Sequence, residues 1–293
     1  MRSRAWAVLA AAAALALVLG GRSAAALPVS QFHGWHPKGL VLWNTLGSSY
    51  AVRHSVIGPN LDYYDCYDPT TPSFGGRCSI DLAGQLAFVP GIAGSAATIG
   101  DGPYFPEARV HTLLLRHSVF NPEHGAVEVL YRQQKDPQPY VDNPHRIFGG
   151  PYALTGPDDV ALFAQDRVDS GDPRLHFVVS FGGNPTHPIY VRSIEDGGIG
   201  YPITGLNGQW MHIAGVWDRK GIAGSSDTIR LYVNGKVVAA SRSKKWGTTP
   251  CGKRFWGRHR GACFTDVVGC NDTCAGTFAV EDLELWSYAR TEW

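Results

Sequence analysis

Between residues 210 and 240 two stretches, 210–217 and 229–240, read as strands of period two, and the second turns back at Asn234-Gly235. Period two is the spacing of one face of a β-strand, and Asn-Gly readily adopts the two positive φ values of a type I′ turn. Residues 210–217 (Trp-Met-His-Ile-Ala-Gly-Val-Trp) therefore read as a strand. Residues 229–233 read as another, with Ile229, Leu231 and Val233 on one side, and 236–240 as its antiparallel return.

The rest of the chain repeats this grammar more loosely. Short strands are expected at 39–46, 85–89, 109–120, 126–131, 160–165, 175–181 and 278–286. Residues 47–84 are rich in Gly, Pro, Asp and Tyr, and 133–159 contain five prolines, so both read as loops. No stretch after residue 26 keeps a convincing helical spacing. Many short strands separated by turns make an all-β, two-sheet antiparallel sandwich or jelly roll with long loops. Trp210, Ile213, Val216, Leu231, Leu283 and Leu285 are its expected core, and His212 is expected to satisfy a buried hydrogen bond rather than to catalyse.

Residues 1–26 read as a signal peptide. Arg2 and Arg4 precede an apolar run, and Ala24-Ala25-Ala26 offers the small residues at which such signals are cut. No later run reaches the ~20 apolar residues of a membrane helix. Residues 27–38 form an irregular lead-in and 39–293 a single domain. Formal charge is +1, and removing Arg2, Arg4 and Arg22 with the signal leaves −2, so neither nucleic acid nor a membrane is an implied partner. In an exported chain the even set Cys66, Cys78, Cys251, Cys263, Cys270 and Cys274 reads as three disulfides. Cys66–Cys78 is the expected pair within one loop. The spacing of the last four does not match paired zinc knuckles. Asn271-Asp-Thr273 is a glycosylation sequon.

The Gly-Gln-Trp-Met-His-Ile-Ala strand at 208–214, the Leu-Tyr-Val-Asn-Gly hairpin at 231–235 and the closing Val-Glu-Asp-Leu-Glu-Leu-Trp at 280–286 resemble, in order and spacing, the laminin-G-like, concanavalin A-like lectin/glucanase jelly roll. The resemblance covers about 80 residues closely and most of the chain after the signal loosely. It implies a calcium ion held between opening and closing strands by oxygen ligands, here Glu281 and Asp282 with Asn44. Some relatives of this fold are glycosidases that align carboxylates on one face of a strand. Glu281-Asp282-Leu283-Glu284 is the nearest counterpart, but strict alternation would divide its acids between both faces. No catalytic constellation is expected.

Residues 242–264 are unusual. They carry Arg242, Lys244, Lys245, Lys253, Arg254, Arg258 and Arg260 with no acid, and Trp246, Phe255 and Trp256 lie among them. Arg forks suit sulfate and carboxylate, and indole rings suit sugar faces. Lys244, Lys245, Trp246, Arg254, Trp256, Arg258 and Arg260 are thus the expected ligand-binding residues. The expected function is a secreted, non-catalytic lectin-like protein binding a polysaccharide or glycoconjugate. The alternative is a polysaccharide hydrolase or lyase on the same fold.

Overall fold

The computed structural model describes residues 37–66, 78–79, 86–99, 110–116, 119–134, 145–149, 160–165, 174–179, 181, 189–192, 202–248, 264–271 and 278–293. The signal peptide and most of the lead-in lie outside them. The hairpin forms as its turn chemistry predicts. β12 (Trp210–Asp218), β13 (Ile229–Val233) and β14 (Lys236–Ser241) run antiparallel. Asn234 and Gly235 take φ of 49° and 75°, and the Asn234 side chain accepts from the His212 amide at 2.9 Å.

On its other side β12 pairs with β7 (His124–Gln133), and β7 pairs with β16 (Phe278–Trp286). Beyond β16, β1 (Leu40–Asn44) and β5 (Ser95–Ile99) meet different stretches of it, and β4 (Leu86–Pro90) pairs with β5. The second sheet runs β11 (Ile189–Arg192), β10 (Arg174–Val179), β9 (Val160–Gln165), β8 (His145–Phe148), β15 (Phe264–Asn271), β6 (Val110–Arg116), β2 (Leu61–Cys66), β3 (Cys78–Ser79). All pairs among these strands are antiparallel, which is the expected all-β sandwich. No helix among the described residues is long and apolar enough to cross a membrane.

The loops hold more order than their composition suggests. β2, β3 and the short helix α1 (Ser49–Arg53) lie within 47–84, and β8 lies within 133–159. These strands have little periodicity of their own. β6 supplies the ladder for β2, and β15 and β9 supply it for β8.

Between the sheets lies one continuous core. Val127, Val129, Tyr131, Ile213, Trp217, Leu283 and Leu285 of the first sheet meet Leu113, Leu115, Phe148, Leu162, Phe177 and Val179 of the second. Trp217 sits 5.8–6.3 Å, ring to ring, from Phe120, Phe177 and Phe181. A Cβ on Gly215 would fall 2.2 Å from the Phe177 ring, so the glycine is there for close approach of the sheets. Two expected core residues belong elsewhere. Val216 is buried in a separate cluster on the outer face of the first sheet, and Trp210 is only half-buried on that same face. Both differ in strand parity from Ile213, which decides the side on which they emerge.

Candidate functional site

The outer face of the first sheet carries the densest polar chemistry among the described residues. Alternation sends His212, Ala214 and Val216 outward from β12, and Ala126, Glu128, Leu130 and Arg132 outward from β7. On β16 a bulge interrupts alternation. The register slips between Glu281 and Glu284, Asp282 takes φ of 60°, and Val280 and Leu283 both enter the core. Glu281 and Glu284 consequently emerge on the same outer face. The bulge corrects the expectation that these acids divide between two faces.

Glu284 stands directly across from Glu128, and Ala214 flanks Glu128 on the other side. The buried Glu128 carboxylate accepts from the Trp286 indole at 2.5 Å, from Arg290, and pairs with His212 Nε2 at 2.7 Å. His212 thus has the hydrogen bond expected of it. Burial pushes the Glu284 carboxyl up to about 8, helped by the charge of Glu128 and a hydrogen bond to it, against the pull of Arg290. Glu284 therefore holds a proton at neutral pH. The Asp282 carboxyl is also raised, chiefly by burial, although the Trp43 indole donates to it.

Residues 287–293 cross this face as a strap. Arg290 stacks 4.2 Å over Trp286 and 4.9 Å from Trp293, while Trp293 lies against His212 and Tyr232. Glu128 and Glu284 are the two facing carboxyls beneath this strap, and Arg290 reaches both. With the strap above them, they are not placed to flank a scissile bond.

The residues expected to hold calcium are engaged otherwise. Asn44 is buried, its amide donates to Ala51 O, Val52 O and Ser55 Oγ, and its Oδ1 accepts from the Leu46 amide. Glu281 accepts from the Ile92 and Ala93 amides at 2.6 and 2.9 Å, capping the β4–β5 turn. Asp282 serves Trp43. Among the described residues no group of three His, Cys, Asp or Glu is arranged to hold a metal. These three side chains are held by protein hydrogen bonds, which does not favour a shared cation.

Of the cationic segment, residues 242–248 are described; Arg254, Trp256, Arg258 and Arg260 lie outside the described residues. Here the backbone is pinned from below. Arg219 donates to the carbonyls of Lys244, Trp246 and Gly247, and Thr228 Oγ1 donates to those of Ser241 and Ser243. Trp246 is not the sugar-stacking ring expected of it. It is 4 % exposed, its indole donates to Pro122 O, and Arg219 covers it at 4.6 Å. Burying the indole leaves the neighbouring cations outside. Lys244 and Lys245 are exposed with no ion-pair partner among the described residues, and Arg242 is 79 % exposed, 3.9 Å from an Asp227 that already serves Arg230. The result is a fixed cationic ledge.

Cys66 and Cys78 stand directly opposite each other on β2 and β3. Cys270 lies on β15, while Cys251, Cys263 and Cys274 lie outside the described residues.

Residues 154–292 match the laminin G family model described as the concanavalin A-like lectin/glucanases superfamily. The concanavalin A-like sandwich is also similar to solved structures. One is domain 4 of AbnA, a GH43 extracellular arabinanase from Geobacillus stearothermophilus, in complex with arabinotriose. It is 14 % identical, with 87 % of this chain and 96 % of that one covered and a TM-score of 0.48. Another is the binding domain of botulinum neurotoxin DC in complex with SialylT, 12 % identical, with 86 % and 49 % covered and a TM-score of 0.46. The chain spans about half the length of that toxin structure. No curated protein matches the sequence.

Sequence reasoning missed Glu128, Arg219 and Arg290. Glu128 sits in an alternating Val-Glu-Val run and could have been assigned to an outer face. Nothing local marks Arg219, whose carbonyl partners lie 25–28 residues away, or the contact of Arg290 with Glu128, 162 residues away.

Proposed function

We propose that the protein is a secreted, non-catalytic lectin-like protein that holds an anionic polysaccharide or glycoconjugate on the ledge headed by Arg242, Lys244 and Lys245. One observation carries the reading. Lys244 and Lys245 are exposed, without an ion-pair partner among the described residues, on backbone that Arg219 and Thr228 have already fixed, and Arg242 beside them is exposed. A pre-ordered backbone spares a ligand part of the entropy of organising its site. Sulfate and carboxylate groups are the anions such cations take in charge-assisted hydrogen bonds. The concanavalin A-like fold of residues 154–292 and the signal-like first 26 residues are consistent with an exported sugar-binding protein.

Chromatography on immobilised heparin tests it. With a near-neutral chain, retention reports a local surface rather than bulk charge. The wild type should be retained at low salt and released as the Debye length shrinks from about 10 Å at 0.1 M toward about 3 Å at 1 M. The combined Arg242→Ser, Lys244→Ser, Lys245→Ser variant should elute much earlier with an unchanged melting temperature. Equal retention of this variant, or passage of the wild type unretained, removes the reading.

A further inference from the structure

Arg219 does more than pin the cationic ledge, because it also decides which way the peptide groups there face. Its guanidinium donates to the carbonyls of Lys244, Trp246 and Gly247, so these oxygens are all turned toward one cation beneath the segment. Every described peptide bond is trans, and in a planar trans peptide the N–H points opposite to the C=O. The amides that follow those carbonyls, of Lys245, Gly247 and Thr248, therefore point away from Arg219. The Lys245 amide has the Ser243 hydroxyl at 3.4 Å. The Gly247 and Thr248 amides have no acceptor among the described residues, and Thr248 is exposed.

Two successive N–H groups whose oxygens are held by a cation present the positive ends of their dipoles on the outward side. Lys244 and Lys245 are exposed in the same short segment. Donors and positive charge without a resident acceptor call for an anion. The arrangement also narrows which anion. Two amides and two ammonium groups do not make the planar fork that matches a carboxylate. The ring that could have stacked on a sugar, Trp246, is turned inward under Arg219. The terminal oxygens of a sulfate ester splay into a pyramid and accept from donors that arrive in different directions.

We propose that the main-chain amides of Gly247 and Thr248, with the Lys244 and Lys245 side chains, form a subsite for a sulfate ester of the bound glycan. The subsite rests on the reading of the ledge as a glycan-binding surface. It adds to that reading a main-chain element, which carries no formal charge, and a choice of sulfate over carboxylate.

Calorimetric titration with a heparin hexasaccharide at about 0.15 M salt tests it. The wild type should bind the hexasaccharide and lose about tenfold or more on its desulfated, N-acetylated counterpart, which keeps the carboxylates. Inorganic sulfate, titrated alone, should bind far more weakly than the hexasaccharide. Thr248→Pro deletes one N–H and leaves every charge in place. It should weaken hexasaccharide binding by about tenfold at an unmoved Tm, because that amide has no protein acceptor to lose. Binding should keep the salt dependence of the wild type, whereas Lys244→Ser, Lys245→Ser should flatten it. If proline itself lowers Tm, the α-hydroxy analogue of threonine at 248, which exchanges the amide for an ester, decides: an equal loss supports the subsite and wild-type affinity overturns it. Wild-type affinity in Thr248→Pro, equal binding of the desulfated hexasaccharide, or inorganic sulfate bound as tightly as the hexasaccharide overturns the subsite and leaves the ledge. A wild type that ignores the hexasaccharide removes both.

Discussion

Replacing Arg290 by alanine should loosen the strap over the outer face. Arg290 is the cation between two facing carboxyls, and it links Trp286 to Trp293 by stacking. Removing one partner of a fully buried ion pair costs about 3–5 kcal/mol. Arg290 is partly exposed, and Glu128 would keep the Trp286 and His212 contacts, which lowers the expected loss to about 2–3 kcal/mol even with two cation–π contacts included. For a domain of this size that is a fall in Tm of roughly 4–12 °C. Denaturant unfolding at pH 7 measures it, and protease sensitivity near Tyr288 should rise in parallel. An Arg290→Ala variant within about 0.5 kcal/mol of wild type would refute the view that this ion pair holds the strap.

The raised Glu284 carboxyl makes stability depend on pH. Its folded value of about 8 lies above the ordinary 4.5, so across that window the unfolded chain sheds a proton that the folded chain keeps. Rising pH therefore favours unfolding, and Glu284→Gln should flatten the decline in Tm between about pH 5 and 8. An unchanged slope in that variant would refute the assignment. Trp246→Ala should cost about 3–5 kcal/mol, the penalty for emptying a buried indole site, in urea unfolding. Excess chelator should leave Tm unmoved, since Asn44 Oδ1, both Glu281 oxygens and Asp282 Oδ1 already accept N–H groups. A fall of several degrees would return calcium to these strands. Alkylation without reduction should leave Cys66 and Cys78 unmodified, because opposed residues of an antiparallel pair lie within disulfide reach; a labelled Cys66 would refute the pairing.

How far the fold was legible depended on the range of the signal. The β12–β13–β14 unit was plain because period two and Asn234-Gly235 act within a few residues. β8 was not, because its four residues are held in the sheet by strands far away in sequence. Trp246 shows the same limit from the other side. Among lysines and arginines it looks like a surface ring, yet Pro122 and Arg219 claim it as core.

What the sequence determined by itself was the all-β sandwich, the position of the central hairpin and the concentration of cations after residue 241. These follow from alternation, turn chemistry and composition, which are local. The tertiary structure alone decided which face each acid and aromatic serves. One bulge at Asp282 shifts the parity of β16, placing Glu284 opposite Glu128 rather than in the core. A side chain's environment depends on the strand beside it, and one inserted residue is enough to exchange inside for outside.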